Sequence, residues 1–271
     1  MKPNDAMARV LVFDVWSRFA YFRRHYTTTT ASSHPFITRS AIEGLVGAIC
    51  GYSSEDYPGL LWNAQIAISL IKQKDEDKDR ITKLPFGVSY TTSDFWTQRV
   101  GRYLKSGGGS LEHTPVPRSV EILIEPSYRI YFSSNLNKVL EELSTNLKGH
   151  STYYTPYLGS SNMIANFDLV DDCEFSAHTA KEDEEIRIHS IIPFFTRIPQ
   201  VKVETGFRYA IEQNIPLHVD KERKPSGYYS AVYSPILGQP ILSRGISYSV
   251  IHGSKNEVNV VFIPSSSPSA S

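Results

Sequence analysis

The sequence predicts an α+β fold whose elements follow the order strand, helix, strand, excursion, strand, helix, strand. Three observations predict it. Residues 9–16 (RVLVFDVW) are dense in β-branched and aromatic side chains, as a buried strand requires. Residues 42–49 and 136–147 space their apolar positions three and four apart, as helices do. Past Pro199 the chain returns to short strand-like runs divided by turn residues.

The first strand covers 9–16, and 19–30 continues as an aromatic, basic and threonine-rich segment. Ser40 and Glu43 have the spacing of a capping box and predict a helix from Ser40 to about Cys50. Ile42, Leu45, Val46 and Ile49 form its apolar stripe, while Gly44, Gly47 and Ala48 permit close approach of another backbone. Gly51 suits the left-handed position that ends it. Residues 65–71 read as a second strand, and 84–118, polar with a triple glycine at 107–109, as a long excursion without packed structure. Short strands follow at 121–124 and 128–132, then a helix at 136–147 ended by Gly149. Further strands are predicted at 164–170, 186–195, 200–204, 216–219, 227–233, 246–250 and 258–263, and the Ser/Pro-rich tail 264–271 is predicted disordered. The order up to residue 170 is that of a ferredoxin-like βαββαβ unit, the scaffold of RNA-recognition domains.

The 271 residues suffice for a core without staples. Cys50 and Cys173 fit neither a disulfide framework nor a zinc site, and the first eight residues lack an apolar signal core, so a reducing cytoplasm is expected. No run approaches the ~20 apolar residues of a membrane helix, so no membrane partner is expected. Lys plus Arg equals Asp plus Glu at 28 each, so any grip on nucleic acid must be local. Residues 1–50 carry six cations against three acids, and 168–185 carry eight acids against Lys181. The acidic run reads as a solvated loop.

Three segments could meet a nucleic acid. In residues 18–29, Arg18, Tyr21, Phe22, Arg23, Arg24, Tyr26 and Thr27 interleave ring planes, guanidinium groups and hydroxyls. Rings stack on unpaired bases, and arginine pairs with phosphate. The alternative is a half-buried strand with core aromatics and idle arginines. At the helix start, Arg39 and Ser40 would place free N–H groups and a cation near a phosphate, unless Ser40 and Glu43 already satisfy those groups. In the excursion, Arg99, Arg102, Lys105, His113 and Arg118 would order on RNA, or form a plain surface loop. P-loop, dinucleotide, zincin and nucleophile-elbow motifs are absent, and the eight histidines are dispersed, so neither cofactor nor metal is expected.

Residues 13–16 (FDVW), 19–23 (FAYFR) and 26–29 (YTTT), then Pro35, Thr38 or Ser40, Gly44, Gly47, Ala48 and Gly51, resemble the N-terminal signature of the CRISPR-associated Cas-five family. Residues 114–118 (TPVPR) with 126–131 (PSYRIY) resemble the segment closing that family's thumb, and Tyr157, Leu158 and Gly159 with Ala165 a later block. The run His34-Pro35-Phe36-Ile37-Thr38 departs from the family's proline-rich entry to the helix. The resemblance implies an RRM-like RAMP domain over 8–198, with a β-hairpin thumb at about 84–124, and a small β-rich C-terminal subdomain over 199–263. It implies a subunit of a type I Cascade, of subtype I-B or a close relative, that holds the crRNA 5′ handle. The backbone subunit, the large subunit and target DNA near the PAM would be its other partners. By motif, Arg23, Tyr26, Thr27 and Arg39 would hold the handle, and Arg118 would serve the thumb.

One branch of the family cleaves repeat RNA without metal. Tyr26, Lys105 and His113 would have to supply that acid–base chemistry here, but they match no such arrangement, and the expectation is a non-catalytic protein. An interaction domain with exposed aromatics is the third alternative.

Overall fold

The computed structural model describes residues 7–25, 31–72, 79–90 and 116–265, of which 86–90 and 116–118 are described by backbone alone. The chain runs through β1 (Ala8–Trp16), β2 (Phe19–Ala20), α1 (Arg39–Cys50), α2 (Tyr57–Leu60), β3 (Gln65–Leu70), β4 (Thr82–Tyr90), β5 (Val116–Ile124), β6 (Ser127–Ser133) and α3 (Asn137–Lys148). Then follow β7 (Asn166–Thr179), β8 (Glu185–Ile188), β9 (Ile192–Phe194), β10 (Gln200–Val201), β11 (Ala210–Pro216), β12 (Tyr228–Tyr233), β13 (Ile241–Arg244), β14 (Ser247–His252) and β15 (Glu257–Val260). Among the described residues no helix is long and apolar enough to cross a membrane.

The main sheet has the order β15-β14-β7-β1-β6-β3, with antiparallel neighbours throughout. β1 lies inside it and is apolar on both faces, which is why its sequence reads as one continuous apolar run. Leu11, Phe13 and Val15 meet the apolar stripes of both long helices, Ile42, Leu45, Val46 and Ile49 of α1 and Val139, Leu140, Leu143 and Leu147 of α3. Val10 and Val12 point the other way, into a smaller cluster with Tyr131, Phe175, Ile251 and Val260. Each such side chain contributes about 1.5–3 kcal/mol on burial.

Two expectations are corrected here. Most of the acidic stretch 168–185 is not a solvated loop, because residues up to Thr179 belong to β7, the neighbour of β1. Its Asp172 is held from several sides: the carboxylate accepts from Arg9 Nε at 2.7 Å, from Ser144 Oγ at 3.1 Å and from Lys148 Nζ at 3.4 Å. Arg9 and the other donors hold Asp172 down to about 2, against its burial. The excursion at 84–118 is likewise structured at both ends, where β4 and β5 pair from Thr82 opposite Ile124 to Tyr90 opposite Val116. Its middle, with Arg99, Arg102, Lys105 and His113, lies outside the described residues, as does the tail from 266.

Beyond Pro199 the strands are shared among three sheets. β10 and β13 join β8, β11 and β12 join β9, and β14 and β15 extend the main sheet. The strand expected at 216–219 lies earlier, as β11, where Asn214 at φ 54 and a register shift between Glu212 and Ile215 interrupt the alternation.

Candidate nucleic-acid interface

The segment after β2 is built as a strand-like pair. Phe22 N–H donates to Ser33 Oγ at 3.0 Å, His34 N–H to Phe22 O at 2.8 Å, and Arg24 N–H to Ser32 O at 2.9 Å. Side chains alternate along such a ribbon, so its residues divide by face. Phe22 is buried, edge-on to Tyr128 at 6.2 Å, and cannot stack on a base as its sequence context predicted. Arg24 turns to Glu212, donating from Nε at 2.8 Å and from Nη2 at 2.6 Å, so its guanidinium braces the fold. Arg23 is exposed, and among the described residues no carboxylate is paired with it. Arg18 is exposed too, over the Phe19 ring at 5.5 Å.

The helix entry differs from expectation. Thr38, not Ser40, caps α1, its hydroxyl accepting from Ala41 N–H at 3.3 Å. Ser40 sits in the first turn, its hydroxyl 3.2 Å from that of Thr38. Glu43 does not reach back as a capping box demands. Its carboxylate lies 3.0 Å from Arg39 Nε and 2.7 Å from His218 Nδ1. Arg39 is wholly buried and spends its remaining donors on the carbonyls of Ile263 at 2.9 Å, Trp62 at 3.2 Å and Ala64 at 2.6 Å. It is a strut, and its assignment to RNA is corrected. Tyr26, Thr27, Arg99, Arg102 and Lys105 lie outside the described residues, and Arg118 is placed by backbone alone, on β5 opposite Val88.

What the structure does bring together is a cleft of about 830 Å³ along the exposed side of α1. Its floor is small: Ser40, Ala41, Gly44 and Ala48. Gly47 lets Tyr57 pack tightly there, since a Cβ would come within 3.1 Å of Tyr57 Cβ. Tyr21, Tyr52, Tyr57, Tyr154 and Tyr157 surround the floor, Arg23 and Arg223 line the same space, and among the described residues none that lines it is acidic. Such a cavity offers ring faces, hydroxyls and two cations to a ligand that is planar and anionic.

A strap at 151–158 supplies part of the wall. Tyr154 N–H donates to Ala48 O at 2.9 Å and Tyr153 N–H to Ile49 O at 3.3 Å, satisfying carbonyls at the end of α1. Tyr154 and Tyr157 are thereby held about half exposed, at 54% and 47%. Gly159 locks the strap to the N-terminal ribbon: φ is +87°, and a Cβ would fall 1.8 Å from Tyr21 O, while Tyr21 N–H donates to Leu158 O at 3.1 Å.

Sequence reasoning missed Tyr52, Tyr57, Tyr154 and Arg223 as site residues. No local pattern marks them, because they meet only when the strap, α2 and the β11–β12 turn fold onto α1.

The family model of "CRISPR-associated protein (Cas_Cas5)" matches residues 10–227, a span holding every cleft residue from Tyr21 to Arg223. The chain belongs to this family. Among curated proteins nothing matches it. Among solved structures, a CRISPR protein from Archaeoglobus fulgidus is similar to this Cas-five family chain at 15% identity and TM-score 0.50, over 93% of this chain and 99% of that one. That level of likeness concerns the fold. A chain of a CRISPR RNA-guided surveillance complex aligns at 12% identity and TM-score 0.46, over 85% and 91% of the two chains. A chain of the Type III-B Cmr-beta complex, bound to cognate target RNA and AMPPnP, aligns at 14% and 0.44, over 87% and 86%.

Proposed function

We propose that this Cas-five family chain is a non-catalytic, crRNA-binding subunit of a type I Cascade, holding the crRNA 5′ handle in the cleft along α1. In this reading the handle subunit contacts the backbone and large subunits and serves RNA-guided recognition of foreign DNA. The carrying observation is the cleft itself, lined among the described residues by five tyrosines and two arginines and by no carboxylate. A chain of zero formal charge must concentrate its attraction for phosphate, and the cleft does so. The strand order β7-β1-β6-β3, with α1 between β1 and β3 and α3 between β6 and β7, supports the RRM-like βαββαβ reading. The β4–β5 ladder supports the thumb.

The test is co-purification of crRNA with the assembled complex. Arg23→Glu replaces an exposed cation by an anion, and retained crRNA should fall at least about tenfold, since a charged hydrogen bond contributes roughly 1.5–3 kcal/mol. Undiminished crRNA would remove the cleft from the handle site. Labelled repeat RNA incubated with the protein in EDTA should stay intact, and specific cleavage would make the chain an enzyme.

A further inference from the structure

We propose that Arg223 is a latch for a phosphate of the bound RNA, kept on Tyr57 in the free protein and presented by a turn whose backbone disfavours its residue type. The inference rests on the cleft being the RNA site.

The β11–β12 hairpin continues beyond its strands. Leu217 N–H donates to Gly227 O at 2.9 Å, Ser226 N–H to His218 O at 3.0 Å, and Asp220 N–H to Lys224 O at 2.9 Å. Its tip is closed by Arg223 N–H donating to Asp220 O at 3.0 Å, and braced by Lys224 N–H donating to the Asp220 carboxylate at 2.7 Å. A hairpin tip of this length ends in one left-handed residue, usually glycine or asparagine. Here that residue is Arg223, at φ 64. The turn's own bonds come from backbone groups and Asp220, so they do not require an arginine. Locally unfavourable choices that the fold does not need are where function is expected.

The side chain itself enters the cleft. Its guanidinium lies 5.3 Å from the centre of the Tyr57 ring and donates from Nη1 to the Tyr57 hydroxyl. A guanidinium has five N–H donors, and among the described residues this one has no carboxylate partner. Exchanging a neutral phenol for a bidentate phosphate strengthens its hydrogen bonds. The root of the turn is fixed. His218 is buried, with Nδ1 2.7 Å from Glu43, Nε2 2.7 Å from Ser265 O, and its ring stacked on Trp62 at 4.2 Å. Only the tip needs to move.

The experiment compares the full-length wild type, Arg223→Gly, Arg223→Lys and Arg23→Ala for binding a short, fluorescently labelled single-stranded RNA across a salt series, with thermal melts. Glycine relieves the backbone conformation, so Arg223→Gly should melt at or above the wild-type temperature. It should nevertheless bind about tenfold more weakly, and its log K against log salt slope should be shallower by about one. Arg223→Lys should keep the slope and recover only part of the affinity. A lower melting temperature with an unchanged salt slope would make Arg223 a mere prop for Tyr57 and overturn the latch. If Arg23→Ala weakens binding and Arg223→Gly does not, the latch fails and the cleft stands. If neither weakens it, the cleft reading fails as well.

Discussion

Single residues in this chain divide into those that touch solvent and those that hold the frame, and sequence context alone sorts them poorly. Arg39 sits where a phosphate-binding arginine would be sought, yet all its bonds run inward, to Glu43 and three carbonyls. Removing one partner of a buried pair strands the other, so Arg39→Ala should cost about 3–5 kcal/mol in chemical denaturation. Unchanged stability with lost RNA binding would return Arg39 to the interface. The buried pair of His34 and Glu212 adds a pH dependence. Nδ1 of His34 is 2.6 Å from Glu212, which also accepts from Arg24. Burial, opposed by Glu212, holds the His34 imidazole below its ordinary 6.5. Burial would raise Glu212, but the hydrogen bonds from His34 and Arg24 outweigh it and hold the carboxyl below the ordinary range. A native imidazole that resists protonation leaves the unfolded chain binding more protons. Stability is therefore complete above 6.5 and declines as pH falls through that value, with Glu212 adding a further loss below its ordinary 4.5. The denaturation midpoint should drop between about pH 7 and pH 5, and His34→Gln should flatten that limb, leaving the part due to His189, which burial also lowers. An equal slope in the variant would show that His34 is not held neutral.

At the level of elements, the cleft depends on how close the strap comes to the N-terminal ribbon. Gly159→Ala forces a methyl into Tyr21 O at a left-handed φ, so the strap must lift. The expected cost is about 2 kcal/mol or more, together with weaker RNA binding as Tyr157 leaves the wall. A variant that is stable and binds normally would mean that this contact does not shape the site. The elements themselves were largely legible. β1, β3, β6, α1 and α3 are long or strongly patterned, and each lies within a few residues of its expected place. Gly51 ends α1 in the left-handed conformation its residue type suggests. The failures have physical causes. The later part of β7 looked like a loop because of its run of carboxylates, of which Asp172 is neutralised from β1 and α3 by contacts remote in sequence. β4 looked unstructured because its partner β5 is reached only across a long connection. At the site, Arg23 and Tyr21 were found from local interleaving of rings and cations. Tyr154 and Arg223 were not, because each is brought to α1 by a segment with no pattern of its own.

Across the whole molecule, zero formal charge and three shared sheets make one argument. The region past Pro199 contributes β14 and β15 to the main sheet, β11 to the Arg24 anchor, and the Arg223 turn to the cleft. The site is thus closed by parts of the chain about 200 residues apart, Arg23 and Arg223, as the turn returns to α1. The cleft along α1 brings Arg23 and Arg223 together, while on the opposite face of the sheet Arg129 pairs with Asp14 at 2.8 Å. The most direct measurement is ultraviolet cross-linking of the assembled, crRNA-loaded complex, with mass spectrometry locating the linked peptides. Cross-links from the 5′ handle should fall on Tyr21, Tyr154 or Tyr157. Handle cross-links confined to the face bearing Arg129 and Tyr131, with the α1 cleft unlabelled, would contradict the account.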